Sequence, residues 1–171
     1  MDKQFFDDNE NRDYELLKDF NSKLNLTNLG RTKYLSTIDA SGITSTEDIA
    51  MIELKYRNYD IAKDGEYKIV NKKGTFTGNT VFIESHKASS LYIASVCLKT
   101  IPLYINFFDN GYVVVYNMLK LNHEPVETDE RKIYSKGYQS FEMAKRIELS
   151  LKDAYIYRKE NNEYKLVQSP C

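Results

Sequence analysis

The sequence predicts an α/β or α+β domain built on a mixed sheet. Three observations carry that expectation. Helical apolar spacing marks the N-terminal region, Asn110-Gly111 joins two apolar β-branched and aromatic runs, and a helical stretch rich in small residues lies between strand patterns. With 171 residues, 42% of them apolar, 29% charged and a net charge of −1, the chain suits one globular domain over 1–171. Collagenous, wholly disordered and disulfide-rich classes are excluded. No apolar run approaches the ~18 to 20 residues of a membrane span, and the opening MDKQFFDDNENRD is acidic. A soluble cytoplasmic protein without a membrane partner is expected.

Taken in order, the first dozen residues read as frayed. From Asn11 to Asn25, Leu16, Leu17, Phe20 and Leu24 fall on one helical face, and Gly30 ends the exit loop. Lys33 to Asp39 reads as a strand stopped by a turn-like cluster, Asp39-Ala40-Ser41-Gly42. Ile49 to Arg57 forms its hairpin partner. Period-2 alternation puts Ile52, Leu54 and Tyr56 on one face of that strand and Glu53, Lys55 and Arg57 on the other. Asp60 to Gly78 is a polar excursion with a small hairpin around Tyr67 to Val70. Thr80 to Ser85 is a third strand, on which Phe82, Glu84 and His86 share a side if extension persists.

Lys87 to Lys99 reads as a helix with Ala88, Ser89, Ser90, Ala94 and Ser95 for close approach to a sheet. Leu91 and Leu98 supply its larger contacts, and Cys97 is expected in the core. Pro102 breaks that helix, and LYINFF and YVVVYNM flank Asp109-Asn110-Gly111 as a hairpin. The region 122–171 reads as a strand-rich C-terminal extension, with 140–153 open between strand and helix.

Two cysteines and two histidines, none at ligand spacing, argue against zinc sites and a Ser/His/Asp triad. Near-neutrality argues against a strongly basic, non-specific nucleic-acid binder. Charge is nonetheless uneven. Residues 1–20 carry seven acids and three bases, whereas 63–100 carry three acids and six lysines, either a solvated surface or a phosphate-facing patch.

Chemistry is expected at Asp39 and, fourteen residues on, Glu53-Leu54-Lys55. Two carboxylates can hold a hard cation such as Mg²⁺, which polarises a phosphate and lowers the pKa of a bound water. Lys55, two residues from Glu53, shares its strand face and can orient that water. The triplet by itself says nothing. Chance alone supplies about two or three acid-x-Lys triplets in such a composition, and Glu66-Tyr67-Lys68, Glu130-Arg131-Lys132 and Glu163-Tyr164-Lys165 share the pattern. Only Glu53 sits mid-way along a long apolar strand, where charge costs solvation unless it is paired or lines a cleft. The competing reading makes Glu53, Lys55 and Arg57 the wet face of a one-sided sheet.

Helix, a strand ending in Asp39, a strand bearing Glu53-x-Lys55, then strand, helix and strand together resemble the PD-(D/E)XK nuclease superfamily. The likeness is to small phage and resolvase-like members and covers roughly residues 11–118. It implies a restriction-endonuclease-like αβββαβ core and Mg²⁺- (or Mn²⁺-) dependent hydrolysis of DNA. By the same likeness Asp39 and Glu53 bind the metal, with the Leu54 carbonyl as a further ligand, and Lys55 positions the attacking water. Ile38 stands where the family pattern has Pro.

Many members also carry an acid on the first helix. Here Glu15 lies about 140° and Asp19 about 100° from Phe20 around the helix, so Glu15 reads better as a solvated residue. Glu84, His86 and Lys87 fall where the superfamily often sets an auxiliary polar or basic group, and read equally as a strand-end cluster with a solvated Lys87. Arg57, Lys72, Lys73 and Lys87 are the candidate phosphate contacts. The resemblance implies a phage or mobile-element setting in host cytoplasm and leaves a homodimer open. Two rival readings remain: a non-catalytic module gripping nucleic acid or protein through the basic 63–87 segment, and a protein-interaction module built on some of the fourteen tyrosines.

Overall fold

The structure, a computed structural model, describes residues 3–32, 38–135 and 140–171, with side chains outside 3–10 and 129–144. It is an α+β protein, mostly strands, with two α-helices among the described residues. In chain order the elements are α1 (Lys3–Leu24), β1 (Thr27–Arg31), β2 (Ala40–Ile43), β3 (Ile49–Arg57), β4 (Asp60–Asp64), β5 (Glu66–Val70), β6 (Phe76–Gly78) and β7 (Thr80–Glu84). Then follow α2 (Ser85–Leu98), β8 (Ile101–Phe108), β9 (Tyr112–Asn117), β10 (Val126–Ser135), β11 (Ser140–Ser150), a 3₁₀ turn at Leu151–Asp153, β12 (Tyr155–Glu160) and β13 (Glu163–Gln168). The main sheet has seven strands in the order β1-β2-β3-β8-β9-β12-β13, mixed because β3 and β8 run parallel. Two small antiparallel sheets accompany it, β10-β11-β7 and β4-β5-β6.

Alternation along the central strands divides the core in two. Ala50, Ile52 and Leu54 of β3, Ile105 and Phe107 of β8, and Val113 and Val115 of β9 pack with Leu17 and Phe20 of α1. Tyr104, Phe108, Tyr112, Val114 and Tyr116 join Ala88 and Leu91 of α2 with Val81, Ile83 and Leu149 of the β7–β11 sheet. Phe20 is fully buried and meets Tyr157 and Tyr164 edge-on at 5.0 Å each and Phe107 at 6.4 Å. Beyond α1, the Asn21 side chain accepts from the Leu26 N–H at 3.1 Å and donates to the Leu26 carbonyl at 2.9 Å, fixing the turn into β1. Among the described residues, no helix is long and apolar enough to cross a membrane.

Several elements differ from expectation. Helix α1 starts at Lys3 rather than at Asn11, and Gly30 lies inside β1. Of the strand expected over 33–39, residues 33–37 lie outside the described residues. The supposed turn cluster is instead β2, paired in register with β3 from Ala40↔Ile52 to Ile43↔Ile49. Gly42 marks close packing rather than a turn: a Cβ there would stand 3.0 Å from the Leu26 Cβ. The chain reverses after it, where the Thr44 hydroxyl accepts from the Asp48 N–H at 3.1 Å.

The third expected strand, β7, forms as a strand but leaves the main sheet and pairs with β11. Strand β8 takes the neighbouring position beside β3. Helix α2 buries Ala88, Leu91 and Ser95, whereas Cys97 and Leu98 are exposed, the reverse of their expected core positions. The helix is apolar on more faces than it packs, so composition could not tell which face is inside. The 140–153 region resolves as strand β11 and the 3₁₀ turn.

Phe20→Ala should lower unfolding stability by about 3 to 5 kcal/mol, the usual cost of truncating a fully enclosed aromatic. Urea denaturation measures it; a loss below about 1 kcal/mol would mean that α1 is not anchored through this ring.

Candidate active site

Strand β2 begins at Ala40, but β3 runs on past it, so among the described residues the β3 edge has no paired strand beyond Ile52. Asp39 stands at that point. Its N–H donates to the Ile52 carbonyl at 2.9 Å, and its Oδ2 accepts from the Leu54 N–H at 2.7 Å. Because a strand residue turns its N–H and C=O to the same edge, the Leu54 carbonyl lies on this side too.

Glu53, opposite Asp39, is 1% exposed. Its Oε1 accepts a hydrogen bond from the Lys87 ammonium of α2, while its Oε2 has no hydrogen-bond partner among the described residues. Burial first, then the neighbouring Asp39 charge, push the Glu53 pKa up to about 8, against the opposing pull of Lys87. Two carboxylates side by side cannot bond each other until one takes a proton, and once protonated Glu53 gains a hydrogen bond with Asp39. Burial alone would lower Lys87, but Glu53, Asp39 and Glu84 together raise it to about 12. The lysine therefore stays charged.

Lys55 lines the same cleft as Glu53, Phe82, Glu84, Lys87 and Tyr104. Desolvation lowers its pKa, helped by the Arg57 and Lys87 charges. Asp13 of α1 feels both Lys55 and Asp39, and its pKa is raised, mainly by burial. It is an acid of α1 beside this cleft that the sequence alone did not single out. Seven residues before Phe20, it lies only about 20° from that ring around the helix, so an acid on the apolar face was the available signal. Arg12 holds it at 2.9 Å and stacks over Tyr56 at 3.8 Å.

Asp39, Glu53, Lys55, Glu84 and Lys87 are thus brought together, with Asp13 beside them. The other expected residues lie elsewhere. Glu15 is solvated and pairs with Lys18 at 2.5 Å. The His86 ring is 61% exposed, 3.6 Å from Glu84, and is not part of the cleft lining. Arg57 is buried, donating to Asn106 at 2.9 Å, to the Phe82 carbonyl at 2.5 Å and to the Tyr104 hydroxyl at 2.6 Å. Its head group braces β3 against β8 and β7 rather than standing free for a phosphate. Lys72 pairs with Asp60 at 3.0 Å and with Asp109, and Lys73 sits exposed in the β5–β6 turn. Lys68 is also paired, to Asp64 at 2.9 Å.

The donor set fits a hard divalent cation. Two carboxylates, one of them with a buried oxygen lacking a donor, and a backbone carbonyl are oxygen ligands of the kind Mg²⁺ takes while keeping several waters. Among the described residues no group of three or more His, Cys, Asp or Glu side chains forms a closed metal cage. Searches against protein-family models, curated proteins and solved structures found no match to this chain.

In the native state Glu53 keeps its proton up to about pH 8, whereas an ordinary glutamate releases it near 4.5. Between those values the folded protein holds more protons than the unfolded chain, so stability falls as pH rises through the window. Urea unfolding of metal-free protein at pH 5.5 and 8 should show wild type losing stability, and Glu53→Gln losing markedly less. Equal slopes in the two proteins would show that Glu53 holds no such proton.

Proposed function

We propose that the protein is a metal-dependent deoxyribonuclease of the PD-(D/E)XK kind, with α1, β2, β3, α2 and β8 as the shared part of a restriction-endonuclease-like core. The observation that carries the reading is the buried Glu53 carboxylate beside Asp39 at a sheet edge, flanked by Lys55 and Lys87. Asp39, Glu53 and the Leu54 carbonyl would hold Mg²⁺ or Mn²⁺. When bound, such an ion polarises a phosphate oxygen and makes a bound water a better nucleophile.

The chain's own groups supply the rest. Lys55, half-buried and with a lowered pKa, hydrogen-bonds and orients the attacking water. Lys87 holds Glu53 in its rotamer and adds positive charge where negative charge grows in the transition state. Asp13 draws on the Lys55 charge from the helix side. A second reading, a binding module without catalysis, is favoured by one fact: the Lys87 ammonium donates to Glu53 Oε1, so one oxygen of this carboxyl group already has a cationic partner within the protein.

Cleavage of supercoiled plasmid, linear duplex and a four-way junction, each with Mg²⁺, Mn²⁺ or EDTA, separates the two. Metal-dependent cutting should fall by about 10² to 10⁴ in Lys55→Ala and vanish in Asp39→Ala. Mg²⁺ should also raise the melting temperature of wild type and leave Asp39→Ala unmoved, since an ion that binds only the folded state stabilises it. DNA retained at low salt without cutting would give the lead to the binding module, and cutting that persists in both variants would disprove this site.

A further inference from the structure

Beside the cleft lies a second, larger pocket of about 320 Å³, walled by Arg57, Tyr59, Phe82, Phe108, Arg146 and Glu148. Its floor follows from strand register. On β7, Thr80, Phe82 and Glu84 face one way while Val81 and Ile83 face the core. Antiparallel pairing sets Glu148 opposite Phe82 and Arg146 opposite Glu84, so all four side chains share one face of the small sheet. The guanidiniums of Arg146 and Arg57 both pack on the Phe82 ring, 4.0 and 4.4 Å from its centroid. The Thr80 hydroxyl holds the Glu148 carboxylate at 3.3 Å. At the rim, Tyr59 is 43% exposed although it is a large aromatic.

These groups make a mixed recognition surface. The Tyr59 ring and the guanidinium planes can stack on a flat ring, and the pocket edge carries the Glu148 carboxylate as an acceptor beside the Arg57 and Arg146 positive charges. A nucleobase suits that combination: a π-face that stacks on aromatic and guanidinium planes, and an amino edge from which a carboxylate can accept. The volume falls at the small end of ligand pockets, the size for one nucleoside rather than a larger cofactor. Phe82 lines both this pocket and the cleft of Glu53, Lys55 and Lys87. The pocket and the cleft therefore share a wall.

We propose that this pocket receives, unstacked, the base next to the scissile phosphate. The path of the strand rests on the nuclease reading, while the preference for a base rests on the pocket lining itself. Arg57 acts here from its buried post, as a fixed charge and a wall. Tyr59, exposed at the rim, is the ring that a base would meet.

Single-stranded oligonucleotides carrying one 2-aminopurine at successive positions test this by fluorescence in EDTA, where no strand is cut. One position should respond for wild type. The response should be lost and affinity fall about tenfold in Tyr59→Ala and Arg146→Gln, with Tyr59→Phe restoring both. In Mg²⁺ the same two variants should raise KM for cleavage and leave kcat within about twofold. The proposal is overturned if no position responds, if the variants match wild type, or if free adenosine monophosphate binds as well as the oligonucleotide. A response without any Mg²⁺-dependent cutting would sink the nuclease reading and keep the base pocket, whereas cutting without a response would do the opposite.

Discussion

The parallel pairing of β3 with β8 is the constraint from which the rest of the structure follows. Two parallel neighbours cannot be joined by a hairpin, so the chain between Arg57 and Ile101 must leave the sheet, cross one face and return. That crossover carries both small-sheet contributions, β4–β6 and β7, and then α2. It buries the β3 face that bears Glu53, Lys55 and Arg57, while α1 buries the other. A strand covered on both sides cannot leave a charge to solvent, so each of the three charges needs a solution inside the protein.

The solutions differ, and the difference marks function. Arg57 is closed: its donors meet Asn106, Tyr104 and the Phe82 carbonyl, and the Tyr104 hydroxyl itself donates to that carbonyl at 2.8 Å. Such a network holds three elements together and asks for nothing more. Glu53 is open. One oxygen has Lys87, the other has no donor among the described residues, and a second carboxylate lies beside it. A fold that wanted only stability would do better with an apolar residue at this position. A buried acid kept half-satisfied next to another acid is the arrangement expected where a cation or a proton is exchanged.

Much of the frame was legible in the chain. Period-2 alternation in 49–57 separated Glu53, Lys55 and Arg57 from Ile52 and Leu54, and Asn110-Gly111 marked the β8–β9 hairpin, because both signals are local. Non-local facts were not legible. Nothing within Ala40–Ile43 says that Leu26 will pack against Gly42, so four small or turn-like residues resembled a loop. Nothing near Thr80–Glu84 says that its partner lies more than sixty residues on, at β11. Asp13 was missed for a different reason. An acid among Leu and Phe positions reads as a mere break in the apolar face, and only the packing of α1 brings it into the field of Lys55 and Asp39.

The site lies where it does because β2 is short. Had β2 continued backward past Asp39 in register, its backbone would have taken the Leu54 N–H and carbonyl. The Asp39 side chain takes the N–H instead, which leaves a carboxylate and a main-chain carbonyl at the same edge. An unpaired strand edge is ordinarily a liability for aggregation. Here α1 approaches the same region, with Asp13 in the field of Asp39 and Lys55. The polar groups that a longer strand would have consumed thus remain beside the cleft, and the proposed metal site draws on them.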